Sequence, residues 1–127
     1  MGKRFAILIG AAAAGVMALG AQAAAAPDVV KYDTELTVTK DRGHNYHGWV
    51  GSEVRKCMEG RRVIVFQQRP GADRKLGAER SEFDPRYGQA RWWLWLDRSY
   101  GHRVYAKVTR KERDRFVCRA ERSAFHF

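Results

Sequence analysis

From Leu36 to Cys118 each short run of alternating polarity is followed by turn chemistry at close to regular spacing, and that cadence constrains the fold more than any other feature. Leu36-Thr37-Val38-Thr39 alternates in polarity with period two, and Asp41-Arg42-Gly43-His44-Asn45 follows as a turn cluster. Tyr46 to Val54 reads as a strand interrupted at Gly51-Ser52, with a turn at Glu59-Gly60. Arg62 to Gln67 is the cleanest strand, because Val63-Ile64-Val65-Phe66 is apolar on both faces. Arg69-Pro70-Gly71-Ala72-Asp73 is a loop, Leu76 to Phe83 a polar, half-exposed strand, and Asp84-Pro85-Arg86-Tyr87-Gly88 another turn. Ala90 to Leu96 is an aromatic strand. Ser99 to His102 turns the chain, and Arg103 to Thr109 alternates again, with Val104, Ala106 and Val108 on one face. Arg110 to Arg115 is a mixed-charge loop before Phe116-Val117-Cys118. Six or seven such strands predict an all-β antiparallel sandwich. A helix over Glu112 to Phe125 is the rival for the last segment, since Phe116, Ala120 and Ala124 repeat at i, i+4 and i+8.

The N-terminus has a different grammar. Lys3 and Arg4 precede an uncharged apolar stretch from Phe5 to Ala21, and Ala21-Gln22-Ala23 supplies a small-x-small cleavage pattern. A signal peptide over 1–23 is the expectation, with a retained anchor as the alternative; the apolar run is shorter than the ~20 residues a spanning helix needs. A flexible lead over 24–34 and a single domain over 35–127 complete the division. The predicted location is secreted or cell-envelope associated, with no stable membrane span after cleavage. At 45% hydrophobic and 30% charged, the chain is neither a disordered tail nor a multi-pass membrane protein.

Two cysteines exclude a cysteine-dense scaffold and the multi-cysteine zinc modules. In an oxidising compartment, the even count favours one bridge between Cys57 and Cys118, worth up to ~4 kcal/mol for a loop of this size. Two separate buried thiols are the alternative.

Several motifs run in order along the chain: Gly48-Trp49-Val50-Gly51-Ser52, then Cys57-Met58-Glu59-Gly60-Arg61-Arg62-Val63-Ile64-Val65, then Gly71 to Gly77. Gly88-Gln89-Ala90-Arg91-Trp92, Gly101 to Val108 and Cys118-Arg119-Ala120 continue the series. In this order they resemble a bacterial secreted transthyretin-like domain of the carboxypeptidase-regulatory type, over Tyr46 to Ser123. The resemblance implies a Greek-key sandwich, usually without catalysis, and a strand at Cys118. The chain departs from the family pattern in the longer insertion Phe83 to Tyr87 and in its tryptophan run. The combined expectation is a six- or seven-stranded antiparallel Greek-key sandwich, transthyretin-like or immunoglobulin-like, preceded by a cleavable signal helix.

The strongest chemical signal is Trp92-Trp93-Leu94-Trp95-Leu96. In a strand, Trp92, Leu94 and Leu96 share one face and Arg91, Trp93 and Trp95 the other. If the first set fills the core, Trp93 and Trp95 form an outer platform with indoles about 7 Å apart. Such a platform stacks on sugar rings, aromatic groups or a partner protein, with hydrogen bonds from Arg91 or Tyr87. The competing expectation is that the C-terminal segment or the 84–88 loop covers the indoles.

The formal net charge of +10 admits a polyanion partner. The basic residues are interspersed with acids, however, and Arg61-Arg62 and Arg74-Lys75 lie beside turns, so a solvated surface is the default and no specific nucleic acid is predicted. His44 and His47 sit on a turn rather than a helix, and no HExxH occurs, so no metal or cofactor is predicted. Asp73 and Asp84 are isolated, unlike a calcium loop. No G-x-S-x-G is present. The functional expectation is a non-catalytic binding domain for an envelope glycan, an anionic polymer or a protein, with a homodimer also open. The alternative is a small secreted hydrolase such as a ribonuclease, built from His47, Glu53, Arg62 and His102.

Overall fold

A computed structural model describes residues 28–101 and 103–126, in which the regular secondary structure is all β apart from one short 3-10 turn. The expected signal peptide, the start of the lead (24–27) and His102 lie outside the described residues. The strands are β1 (Val30–Tyr32), β2 (Glu35–Leu36), β3 (Thr39–Lys40), β4 (Tyr46–Gly51), β5 (Arg62–Gln67) and β6 (Arg74–Arg80). They continue as β7 (Glu82–Asp84), β8 (Gln89–Leu94), β9 (Val104–Val108), β10 (Lys111–Arg113), β11 (Phe116–Cys118) and β12 (Glu121–Arg122). No helix among the described residues is long and apolar enough to cross a membrane.

Three sheets result. One runs β2-β4-β8-β7, with β3 also on β4; a second runs β12-β9-β5-β6; a small third runs β1-β11-β10. All pairings are antiparallel except β1 with β11. The core lies between the first two. Leu36, Tyr46, Val50, Ala90, Trp92 and Leu94 come from one; Val63, Val65, Val104, Ala106 and Val108 come from the other. Each of these strands alternates inward apolar residues with outward ones, the pattern of a sheet packed on one face. Gly48 sits opposite Trp92 on the neighbouring strand, and a methyl group there would stand 1.9 Å from the Thr37 carbonyl oxygen. Only glycine lets the β2–β3 connection approach this closely.

The structure corrects four expectations. Leu76 to Phe83 is not one strand: it is β6 at the edge of one sheet and β7 at the edge of another. The chain changes sheets at Ser81, which is buried. Its hydroxyl accepts from the Arg61 amide (2.9 Å) and donates to the Met58 carbonyl (2.5 Å), so the crossing is held by side-chain as well as backbone bonds. The lead contains a strand, because Val30–Tyr32 pairs with Phe116–Cys118. Part of the 110–115 loop is strand, with Lys111–Arg113 paired to Phe116–Cys118; the C-terminal segment is therefore extended rather than helical.

Arg61 is the fourth correction. It is buried (1% exposed) rather than solvated. Its guanidinium donates to the Cys57 carbonyl (2.6 Å), the Thr109 carbonyl (2.8 Å), the Arg119 carbonyl (3.0 Å) and the Thr34 hydroxyl (3.2 Å). Burial lowers its pKa from the usual arginine value. Beside it, Cys57 and Cys118 are joined, with Cα atoms 5.4 Å apart. The disulfide and the guanidinium thus fasten the 3-10 turn (Arg55–Cys57) to the small third sheet.

Replacing Arg61 by Leu strips the Cys57 and Thr109 carbonyls of this donor, while the Arg119 carbonyl keeps the Thr34 hydroxyl. Each buried unsatisfied acceptor costs ~1–3 kcal/mol, so Arg61→Leu is expected to lose at least about 2 kcal/mol in urea unfolding of the oxidised protein. A loss under about 1 kcal/mol would show the guanidinium to be dispensable.

Candidate functional site

Alternation along β8 puts Ala90, Trp92 and Leu94 inside and Arg91 and Trp93 outside. Trp95, one residue beyond the strand, continues outward: Trp93 is 39% exposed and Trp95 71%. The neighbouring strand β4 alternates in the same way. Val50 is buried, so Trp49 and His47 point to the same outer face, and they pair with Arg91 and Trp93 respectively.

The 84–88 turn contributes the next wall. Asp84 carries it: its side chain accepts from the Arg86 amide (3.0 Å), and its carbonyl accepts from the Tyr87 and Gly88 amides at 3.1 and 3.0 Å. Pro85 pre-sets the turn, and Gly88 takes a φ of 66°, which disfavours a side chain. Tyr87 is thereby held edge-on to Trp49, with ring centroids 5.3 Å apart.

Trp49, Tyr87, Trp93 and Trp95 line a groove of about 610 Å³ together with Asp41, His47, Arg86 and Arg91. The Arg91 guanidinium lies 5.3 Å from the Trp93 ring centroid and 5.9 Å from that of Trp49, within cation–π range of both. Its charge is only loosely balanced, with Asp84 at 3.8 Å, while Arg86 approaches the same carboxylate at 3.4 Å. The hydrogen bond from Arg86, then its charge and that of Arg91, hold the Asp84 carboxyl below the usual aspartate value. At the other end, His47 Nε2 stands 2.8 Å from Asp41 Oδ1.

Arg91, Trp93, Trp95 and Tyr87, the residues singled out in sequence, converge in this one groove. Trp49 and Arg86 were missed. Trp49 was legible in principle: with Val50 in the core, its neighbour had to face out. The described residues of the hydrolase alternative do not converge, and His102 lies outside them. His47 is in the groove, Glu53 is exposed in the loop after β4, and Arg62 begins β5 in the other sheet. No group of three or more His, Cys, Asp or Glu side chains placed to hold a metal ion occurs among the described residues.

The fold and site therefore define an all-β, disulfide-bridged domain with an aromatic, arginine-lined groove on one sheet. No family model matches the chain, and no curated protein or solved structure shows significant similarity to it.

A depressed carboxyl pKa stabilises the fold above the unfolded value of ~3.9 and loses that contribution as pH falls through the folded value. The melting temperature should accordingly fall on acidification below about pH 4, and Asp84→Asn should flatten that limb. An identical acid limb in the variant would show that the Asp84 carboxylate does not hold the turn.

Proposed function

We propose that the chain is an exported, non-catalytic Greek-key sandwich of transthyretin-like type that binds an envelope glycan in the aromatic groove. The observation that carries this reading is the convergence of Trp49, Tyr87, Trp93 and Trp95 around Arg91 on a face that no other described segment covers. Indole and phenol rings offer flat apolar faces to the C–H face of a sugar. Arg91 adds planar N–H donors for hydroxyl or carboxylate groups between the rings. The mix suits a ligand that is half apolar and half polar, the usual character of a small-molecule site. The disulfide is compatible with the oxidising compartment the reading requires.

Titration of the oxidised protein with soluble cell-wall glycan fragments, followed by tryptophan fluorescence, tests it. At ~1 kcal/mol per stacking ring, Trp93→Ala/Trp95→Ala should weaken binding about thirtyfold. Unchanged affinity in the double variant removes the glycan reading. Binding of a protein partner or self-association through the same indoles would replace it.

One observation favours the alternative of a secreted hydrolase such as a ribonuclease: His47, oriented by Asp41, is of the type that serves as a general base, and it shares the groove with Arg91. Incubation with RNA from about pH 4 to 8 decides the matter, since that range spans carboxylate and imidazole titration. Cleavage lost in His47→Ala would establish the enzyme; intact RNA throughout removes it.

A further inference from the structure

β5 and β6 pair antiparallel so that Arg62 stands directly opposite Arg80. Like charges in directly opposed positions destabilise a sheet. Neither guanidinium has an ion-pair partner among the described residues. Arg80 spends one donor on the Gly60 carbonyl (2.9 Å) and keeps the rest of its fork.

The two arginines border a cleft of about 400 Å³ that also takes in Lys111 and Arg113 from β10. Lys111 donates to the Lys56 carbonyl (2.8 Å) and Arg113 to the Glu112 carbonyl (2.9 Å), both neutral acceptors. Two carboxylates reach the rim, and both are engaged: Glu112 with Arg110 at 2.8 Å, Glu59 with Arg55 at 3.4 Å. Behind them lies buried Arg61, whose Nε has no acceptor and whose charge no carboxylate offsets among the described residues. The crowding is felt at Lys111: burial first, then Arg113 and Arg61, push its pKa below the usual lysine value.

We propose that this cleft binds an oxyanion, a phosphate or sulfate group, between Arg62 and Arg80. A multiply charged tetrahedral anion turns the repulsion between the two forks into two charge-assisted, bidentate contacts. Lys111 and Arg113 supply further positive potential. No aromatic ring among the described residues lines the cleft, so stacking on a sugar or base is not its mode. The site is separate from the aromatic groove and stands or falls independently of it.

The test uses the oxidised protein at constant ionic strength, with inorganic phosphate, inorganic sulfate and linear polyphosphate as probes. Guanidinium and amide resonances report binding. Saturable shifts at Arg62 and Arg80 are expected, with at least a tenfold loss of affinity in Arg62→Gln/Arg80→Gln. Arg74→Gln/Lys75→Gln removes the same charge from the other end of β6 and should bind as the native protein does. Polyphosphate binding at least tenfold tighter than phosphate would identify a polymer-borne group as the source; equal affinities would identify the free anion. Absence of saturable shifts with all three probes overturns the proposal. So does an equal loss in the Arg74/Lys75 control, which would make the effect one of net charge. Without anion, the Arg62/Arg80 variant should melt no lower than the native protein, since it has lost a like-charge pair. A marked drop in melting temperature would assign the pair a structural role instead and also overturn the proposal.

Discussion

The architecture depends on a buried positive charge that no carboxylate among the described residues meets. Arg61 follows the Cys57 turn by four residues and is surrounded by oxygen atoms of the Cys57, Thr109 and Arg119 carbonyls and the Thr34 hydroxyl. Burying a guanidinium costs several kcal/mol of hydration free energy. Hydrogen bonds from a charged donor contribute ~1.5–3 kcal/mol each, so four of them offset that cost with some margin. The Thr34 hydroxyl in turn donates to the Arg119 carbonyl at 2.8 Å, which locks two of the acceptors to each other. The disulfide covers the same junction covalently. Together they fasten the start of the first sheet, the 3-10 turn, the end of β9 and the end of β11.

The outer faces of the two large sheets are treated differently, and the difference explains why an indole platform stays open. The C-terminal segment runs along β9: Ser123 bonds to Ala106, and His126 bridges to Val104. This carries Phe125 and Arg122 onto the face bearing Phe66 and Tyr105. Tyr105 stacks on Phe66 at 5.4 Å and meets Phe125 edge-on at 5.5 Å, while the Arg122 guanidinium lies 3.8 Å above its ring. The tail therefore covers one sheet's aromatics and leaves the other sheet's alone. The 84–88 turn does not cover them either: it adds Tyr87 as a wall beside Trp49.

Period-two alternation made much of this readable in advance. It separates Trp92 and Leu94 from Trp93 and Trp95 and puts Val104, Ala106 and Val108 on one face; the structure buries Trp92, Leu94 and the Val104 face and leaves Trp93 and Trp95 exposed. The cysteine pairing followed from an even count and an oxidising setting. What escaped was long-range. Nothing local to Ser81 announces that the strand will leave one sheet for another, because the turn is made by contacts to Met58 and Arg61 about twenty residues earlier. Arg61 looked like half of a solvated Arg-Arg pair. Its acceptors at Thr109 and Arg119 lie 48 and 58 residues away, and backbone carbonyls carry no sequence signature. The parallel pairing of β1 was hidden for the same reason, since a three-residue strand has too few side chains to show a period.

The excess positive charge is then not one property but several. A formal net of +10 invites a single explanation, such as attraction to polyanions. The arginines divide by environment instead. Arg61 is structural, with its donors spent on carbonyls. Arg91 and Arg122 lie over aromatic rings, where a weakly hydrated guanidinium keeps favourable contacts that an ammonium would lose to water. Arg110 and Arg119 pair with surface carboxylates at 2.8 and 3.2 Å, contacts worth little in water. Arg62 and Arg80 belong to none of these groups. They stand in directly opposed positions across a strand pair with no ion-pair partner among the described residues, and only Arg80 has an oxygen, the Gly60 carbonyl, to donate to. Net charge sets the long-range field, but a site is made where that charge is left locally unsatisfied.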